Sequence, residues 1–304
     1  MSNSSSTPPN PAPSAAPARA AAPYDVEAAS PGFREHLQRY SVASRETRAR
    51  WPARLDVRYG DGAAERLDIF LTDRSAAAPI VVFLHGGGWR GSSKEDRSFP
   101  AETFCPAGAI WISMEYPLAP AASVDQMVES VRRGIAWVHR NAHTFAGDRD
   151  RIFVCGNSAG GHLAAMAMVT DWSTGWHLPE SPIRGATTIS GVFQMTPLRH
   201  GHANTWLKLD VDSAVRNSPI FNLPARGSPL LCVAAANEPP EFREQSEVFA
   251  AVWRNRGFAG EYLLMPDVDH FSIIGELGKP ASRLVSAMLR QMGLEPAAAA
   301  RVVT

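Results

Sequence analysis

The chain has 304 residues, with 30 Lys and Arg balancing 30 Asp and Glu, 45% hydrophobic and 20% charged. These values describe an ordinary globular protein and give no general attraction to nucleic acid or an anionic membrane surface. The longest apolar runs, such as Ile80–Leu84, are of strand length and too short to span a bilayer.

Residues 1–23 are mostly Ser, Pro and Ala, with one basic residue, Arg19, and no acid. Such a segment cannot bury enough apolar surface to offset its ordering entropy, so disorder is expected there. It lacks the continuous apolar core of a secretory signal; a targeting role of another kind is left open. Residues 24–296 read as one domain in which strand and helix patterns alternate. Strands are expected at Leu55–Tyr59, Leu67–Leu71, Ile80–Leu84, Ala109–Met114, Ile152–Cys155, Ala186–Ile189, Leu230–Ala235 and Glu261–Met265. The central ones are continuous apolar runs, as strands covered on both faces should be. Helical patterns fall at Asp125–His139, Ala159–Val169, Phe242–Arg256 and Ala281–Met292. The order implies a mostly parallel sheet with helices on both faces. Gly60-Asp61-Gly62 joins the first two strands as a hairpin, so that end should be antiparallel. The stretch Asp171–Pro229 is longer than one crossover needs and carries Trp172, Trp176 and Trp206; part of it should form a small lid. Residues 297–304 read as a frayed tail. The three cysteines, Cys105, Cys155 and Cys232, are odd in number and widely spaced, which is no disulfide framework. They read as buried thiols in a reducing compartment, and a cytoplasmic location is expected.

Two motifs carry chemistry. The first is Gly156-Asn157-Ser158-Ala159-Gly160, between the apolar run Ile152–Cys155 and a helical run. A sharp strand-to-helix turn of this kind exposes a serine oxygen above a sheet, and the glycines relieve its crowding. The bland alternative is a glycine-rich turn with a capping serine. The second is His85-Gly86-Gly87-Gly88-Trp89, directly after Ile80–Leu84. Consecutive glycines let backbone N–H groups converge on one point, where they can stabilise the negative oxygen of an attacked carbonyl. Gly87, Gly88 and the N–H of Ala159 are the expected donors. A phosphate loop is disfavoured, because the Lys-Ser/Thr ending and the dinucleotide spacing are both missing. His85 should hold the loop by hydrogen bonds.

A serine needs a base. Of the nine histidines, His270 follows the last strand in the loop Pro266–Phe271, the latest position in the order nucleophile, acid, histidine. The acid should follow Leu230–Ala235. Glu238 is the first carboxylate there, Glu241 is the second candidate, and Asp267 and Asp269 lie beside His270 in the wrong loop.

The two motifs resemble the kynurenine formamidase (arylformamidase) branch of the α/β-hydrolases, which is similar to hormone-sensitive-lipase-type esterases. The resemblance extends through Tyr59-Gly60, Leu67–Phe70, Glu115–Pro120, Ile189–Phe193, Ser218-Pro219, Glu241–Ser246 and His270-Phe271, roughly residues 33–292. It implies an α/β-hydrolase fold and a serine hydrolase that cleaves a small aryl formamide or ester through an acyl-enzyme, without cofactor or metal. In that family the acid precedes a Glu-Phe pair by three positions, which again lands on Glu238. Trp89, Tyr116 and Phe193 would line an aromatic pocket. There are two departures: Ala234–Asn237 stands where the family more often has glycines, and the third glycine, Gly88, is nearer to general esterases; the second reading is a broad short-chain carboxylesterase. A non-catalytic binding protein is third, disfavoured because Ser158, His270 and Glu238 are all present. The partner expected is a small-molecule substrate, with no nucleic acid and no membrane; a homodimer is compatible with the sequence.

Overall fold

The computed structural model describes residues 24–73 and 77–295. The expectations of disorder before residue 24 and of a frayed tail after residue 296 lie outside that range. All eight expected strands form. They are β1 Ala53–Arg58, β2 Arg66–Phe70, β3 Ala78–Leu84, β4 Ile110–Met114, β5 Gly147–Asn157, β6 Ile183–Ile189, β7 Leu230–Ala235 and β8 Gly260–Met265. They make one sheet in the order β1-β2-β4-β3-β5-β6-β7-β8. The β1–β2 hairpin and the β2–β4 pair are antiparallel, and all other pairs are parallel.

The two-residue period of a strand explains why the central runs are apolar throughout. Every residue of β3 is buried. Ile80, Val82 and Leu84 enter the core on one face, and Val81 and Phe83 enter the core on the other. Helix α2 (Val124–Asn141), α3 (Ala159–Met168) and α4 (Pro240–Asn255) cover the first face. Helix α1 (Phe33–Arg50) and α5 (Arg283–Gln291) cover the second. A Ser123–Gln126 capping box starts α2, satisfying backbone donors that a helix end leaves open. The cysteines are buried and unpaired. Burial pushes the thiols of Cys105 and Cys232 up to about 12 and that of Cys155 up as well.

Helix α1 was not expected from the sequence. Its buried stripe is Tyr40, Ser44 and Thr47, two of them polar, so no apolar periodicity marks it. It docks by polar contacts instead. The hydroxyl oxygen of Ser44 accepts from the N–H groups of Ser98 and Phe99, and Thr47 Oγ1 donates to Glu102. Arg48 pairs with buried Asp68. The expected lid resolves into parts. Trp172 is core, donating to the carbonyl of Ala167, and β6 also lies inside the stretch. The segment 196–207, the 3-10 turn Thr196–His200 followed by the short helix Asn204–Leu207, is the part that lines the cavity beside Ser158 and His270.

Candidate active site

Strand β5 ends at Asn157 and α3 begins at Ala159, so Ser158 alone makes the turn, with φ +54° and ψ −119°. A non-glycine residue at positive φ costs on the order of 1 kcal/mol or more and persists only where its surroundings enforce it. Two bonds do so: Ser158 N–H donates to the carbonyl of Ile189 at 2.8 Å, and the Ser158 carbonyl accepts from His162 N–H at 3.0 Å. Gly160 must lack a side chain, because a Cβ there would sit 2.0 Å from the carbonyl oxygen of Leu84. The elbow therefore packs directly against the end of β3, where the glycine loop begins.

Asn157 Oδ1 accepts from Gly86 N–H at 3.1 Å and ties elbow to loop. His85 is fully buried, with Nε2 2.8 Å from Glu115 Oε1 and Nδ1 2.8 Å from the Gly86 carbonyl. That is the loop-holding role expected of it. The Gly87 carbonyl accepts from the N–H groups of Arg90 and Gly91, closing a tight turn that puts Gly87 at φ +112° and Gly88 at φ +61°. The N–H groups of Gly87, Gly88 and Ala159 have no acceptor among the described residues. Trp206 of the lid segment donates its indole N–H to the Gly88 carbonyl at 2.8 Å, with the Arg90 guanidinium 3.8 Å over its ring.

The two glycines should respond differently to substitution. At Gly87 a Cβ would lie 2.1 Å from the Gly91 carbonyl oxygen, so Gly87→Ala should destabilise the fold by more than about 2 kcal/mol. At Gly88 the nearest atom is 3.8 Å away, on the Trp206 ring, so Gly88→Ala should still fold, at a cost of about 1 kcal/mol for the positive φ, and lower kcat by about 10–100-fold with KM little changed. Melting curves and steady-state kinetics separate the two. A raised KM with unchanged kcat in Gly88→Ala would make the loop a ground-state binding element.

His270, in the loop after β8, lies with Nδ1 2.8 Å from Glu238 Oε2. Glu238, in the loop after β7, has a fully buried side chain, and its other oxygen accepts from Ala235 N–H at 2.9 Å. Both carboxylate oxygens thus have a donor, and the imidazole is held with Nδ1–H toward the acid and with Nε2 unpartnered among the described residues. The ring of Phe242 packs against His270 with centroids 4.4 Å apart. The other acids are elsewhere. Glu241 sits in the first turn of α4. Asp269 caps the N–H groups of Phe271 and Ser272.

Ser158 and His270 line one cavity of about 1290 Å³, together with Gly87, Gly88 and Trp89. Of the three residues expected to form an aromatic pocket, only Trp89 lines it. Tyr116 and Phe193 do not: each is fully buried behind the site. Tyr116 stacks on His85 and donates to its carbonyl at 2.5 Å, while Phe193 stacks on Phe249 of α4. The other aromatic walls come instead from Tyr24, Phe33, Tyr40, Trp206, Phe242 and Phe271. Phe242 and Phe271 adjoin motif residues, and Trp206 falls in the expected lid, so sequence signals existed for those three. Phe33 and Tyr40 reach the site through the docking of α1, and Tyr24, ahead of that helix, is held by Phe242 and Gln245 of α4; for these three there was none.

His162, one turn into α3, supports Trp89 from below. Its Nδ1 accepts from the Trp89 indole N–H at 3.2 Å, and Nε2 faces the Asn217 carbonyl at 2.7 Å. That pattern needs the neutral ring, and burial lowers its pKa from 6.5 to about 4. Between those values the unfolded chain binds the extra proton, so stability rises with pH across this window and is lost as pH falls from 6.5 toward 4. The contribution is about 3 kcal/mol. His162→Gln should flatten the rise in urea-unfolding free energy between about pH 4.5 and 7; an unaltered slope would assign the acid sensitivity elsewhere.

A family model described as BD-FAE matches residues 67–184. The kynurenine formamidase of Salmo salar is 33% identical over 268 residues, covering 86% of this chain and 89% of that protein. The kynurenine formamidase of Danio rerio is 31% identical over 267 residues, with the same two coverages. Among solved structures, a putative thioesterase from Silicibacter superposes with a TM-score of 0.77 at 25% identity, covering 86% of this chain and 95% of the other. No helix among the described residues is long and apolar enough to cross a membrane.

Proposed function

The chain belongs to the kynurenine formamidase family of α/β-hydrolases and is a hydrolase, and from that premise we propose that Ser158 is its nucleophile, His270 the base and Glu238 the acid. The observation that carries this reading is the buried 2.8 Å Glu238–His270 pair opening onto the same cavity as Ser158 and the glycine loop. Ser158 Oγ attacks the substrate carbonyl carbon while His270 Nε2 takes the hydroxyl proton. The oxyanion gathers on the N–H groups of Gly87, Gly88 and Ala159, which have no acceptor among the described residues. His270 then gives its proton to the departing amine or alkoxide, leaving the acyl group on Ser158. A water attacks that ester with His270 again as base, releasing the acid and restoring the serine. Glu238 stabilises the imidazolium formed at each stage.

The substrate is a small aryl formamide, with N-formyl-kynurenine the leading candidate. A broad carboxylesterase is the second reading. It is favoured by the size of the cavity, about 1290 Å³, which exceeds the usual few hundred to roughly 1,000 Å³ of a small-molecule site. Side-by-side kcat/KM for N-formyl-kynurenine and a series of p-nitrophenyl esters decides between them. The formamidase reading expects the formamide to lead by well over tenfold, about 1.4 kcal/mol. A lead of tenfold or less assigns the carboxylesterase.

A further inference from the structure

Arg97 and Lys94 lie on one short 3-10 turn, Lys94–Arg97, beside the cavity, and both are nearly fully buried. The chain treats these two cations very differently. Lys94 Nζ is met by three carboxylates, Asp56 at 2.7 Å, Asp68 at 3.1 Å and Glu95 at 2.6 Å. Arg97, 4% exposed, has no carboxylate in salt-bridge reach among the described residues. Its Nη1 donates to the backbone carbonyl of Asp96 at 2.9 Å. Nε is buried without an acceptor. A buried charge left unpaired costs several kcal/mol, which a fold tolerates where a ligand supplies the missing partner.

The backbone of Arg97 is also held in place. The carbonyl of Arg97 accepts from Ser113 Oγ at 3.0 Å, and the guanidinium carbon lies 5.7 Å from the centre of the Tyr40 ring. Arg97 and Tyr40 line the same cavity as Ser158 and His270. Three acids line the same cavity: Asp96, whose charge acts on Arg97 from beyond salt-bridge distance and whose Oδ2 takes the Ser93 hydroxyl; Asp25, which caps the N–H of Ala28; and Glu27. Arg90, the other cation of the cavity, is exposed and lies over Trp206.

We propose that Arg97 is a specificity-determining residue that binds a carboxylate on the substrate, so that this hydrolase prefers anionic acyl compounds to neutral ones of the same shape. A planar carboxylate matches the guanidinium donor geometry, and the charge-assisted hydrogen bonds are strengthened by the low-dielectric surroundings. The inference rests on the hydrolase reading of this cavity, since it names what the second part of that cavity is for.

The test uses matched aryl acetates that differ in one group: 4-acetoxybenzoate against 4-acetoxybenzamide, and the longer pair 3-(4-acetoxyphenyl)propionate against its amide. Wild-type protein should favour the acid of at least one pair by about tenfold or more in kcat/KM, chiefly through KM. Arg97→Met should bring that ratio to about 1, and Arg97→Lys, which keeps the charge but not the fork, should keep part of it. Less than threefold preference for the acid in both pairs, or a preference that survives in Arg97→Met, overturns the proposal. The wild-type ratios need no variant, so they decide the matter even where Arg97→Met fails to fold. Calorimetric titration of benzoate into Ser158→Ala, and into the same variant carrying Arg97→Met, separates the two layers. Benzoate binding to the first and not the second supports the anion site even if turnover shows that Ser158 is not the nucleophile; equal binding to both contradicts it.

Discussion

Ser158→Ala should fold as the wild type does and lose on the order of 10⁴–10⁶-fold in kcat. The substitution removes one oxygen and leaves Cβ and the backbone as they are. The positive φ at this position is enforced by backbone bonds to Ile189 and His162 and by the close approach of Gly160 to Leu84, none of which involves Oγ. Melting temperature should therefore hardly move while turnover collapses. Whatever rate survives over the uncatalysed reaction would come from the N–H groups of Gly87, Gly88 and Ala159 and from binding alone. A variant with a wild-type melt and more than about one-tenth of wild-type kcat would place the nucleophile elsewhere.

The second large effect is expected at the acid. In Glu238→Gln the side chain keeps its shape and loses the charge that stabilises the imidazolium. Its amide can also turn a donor toward His270 Nδ1, which favours the wrong tautomer. Loss of about 10³–10⁴-fold in kcat is expected. The variant also leaves a buried group that must still satisfy Ala235 N–H and His270, so some stability should be lost as well, on the order of 1–3 kcal/mol. Glu241→Gln, at the start of α4 and in a different role, should change turnover little and stability by at most about 1 kcal/mol. Steady-state kinetics on both variants, with melts alongside, checks the assignment; the reverse pattern would transfer the role to Glu241.

Much of the fold was legible because it rests on burial in strands. Each of β3, β4 and β7 is buried along its whole length, and a continuous apolar run leaves few other readings. The elbow was legible for a related reason: Gly156 and Gly160 are there because carbonyl oxygens occupy the space a Cβ would need. The Glu238–His270 contact followed from chain order, since the sheet brings the loops after β7 and β8 side by side. What stayed hidden depends on tertiary docking. Helix α1 buries Ser44 and Thr47 through hydrogen bonds rather than apolar area, so its pattern looks like a solvated stretch. With α1 hidden, the contribution of Phe33 and Tyr40 to the cavity was hidden as well, and Tyr24 joins it through a tertiary contact with Phe242. Tyr116 and Phe193 illustrate the converse. Both adjoin site motifs in the sequence, yet one braces His85 and the other packs on α4, because a large aromatic next to a catalytic loop is as useful beneath it as inside it.

The arrangement around Trp89 links these layers. Its ring is held from α3 by neutral His162, its carbonyl accepts from Ala119 N–H at 2.7 Å, and it follows directly on Gly88. The pH window in which His162 stays neutral is therefore also the window in which the end of the glycine loop keeps its support.

Covalent labelling with a fluorophosphonate, followed by mass-spectrometric mapping of the modified peptide, reads the identity of the nucleophile without reference to any substrate. One adduct is expected, on Ser158, formed by wild type, absent from Ser158→Ala and greatly slowed in Glu238→Gln. An adduct on any other serine, or undiminished labelling of Ser158→Ala, would contradict the assignment.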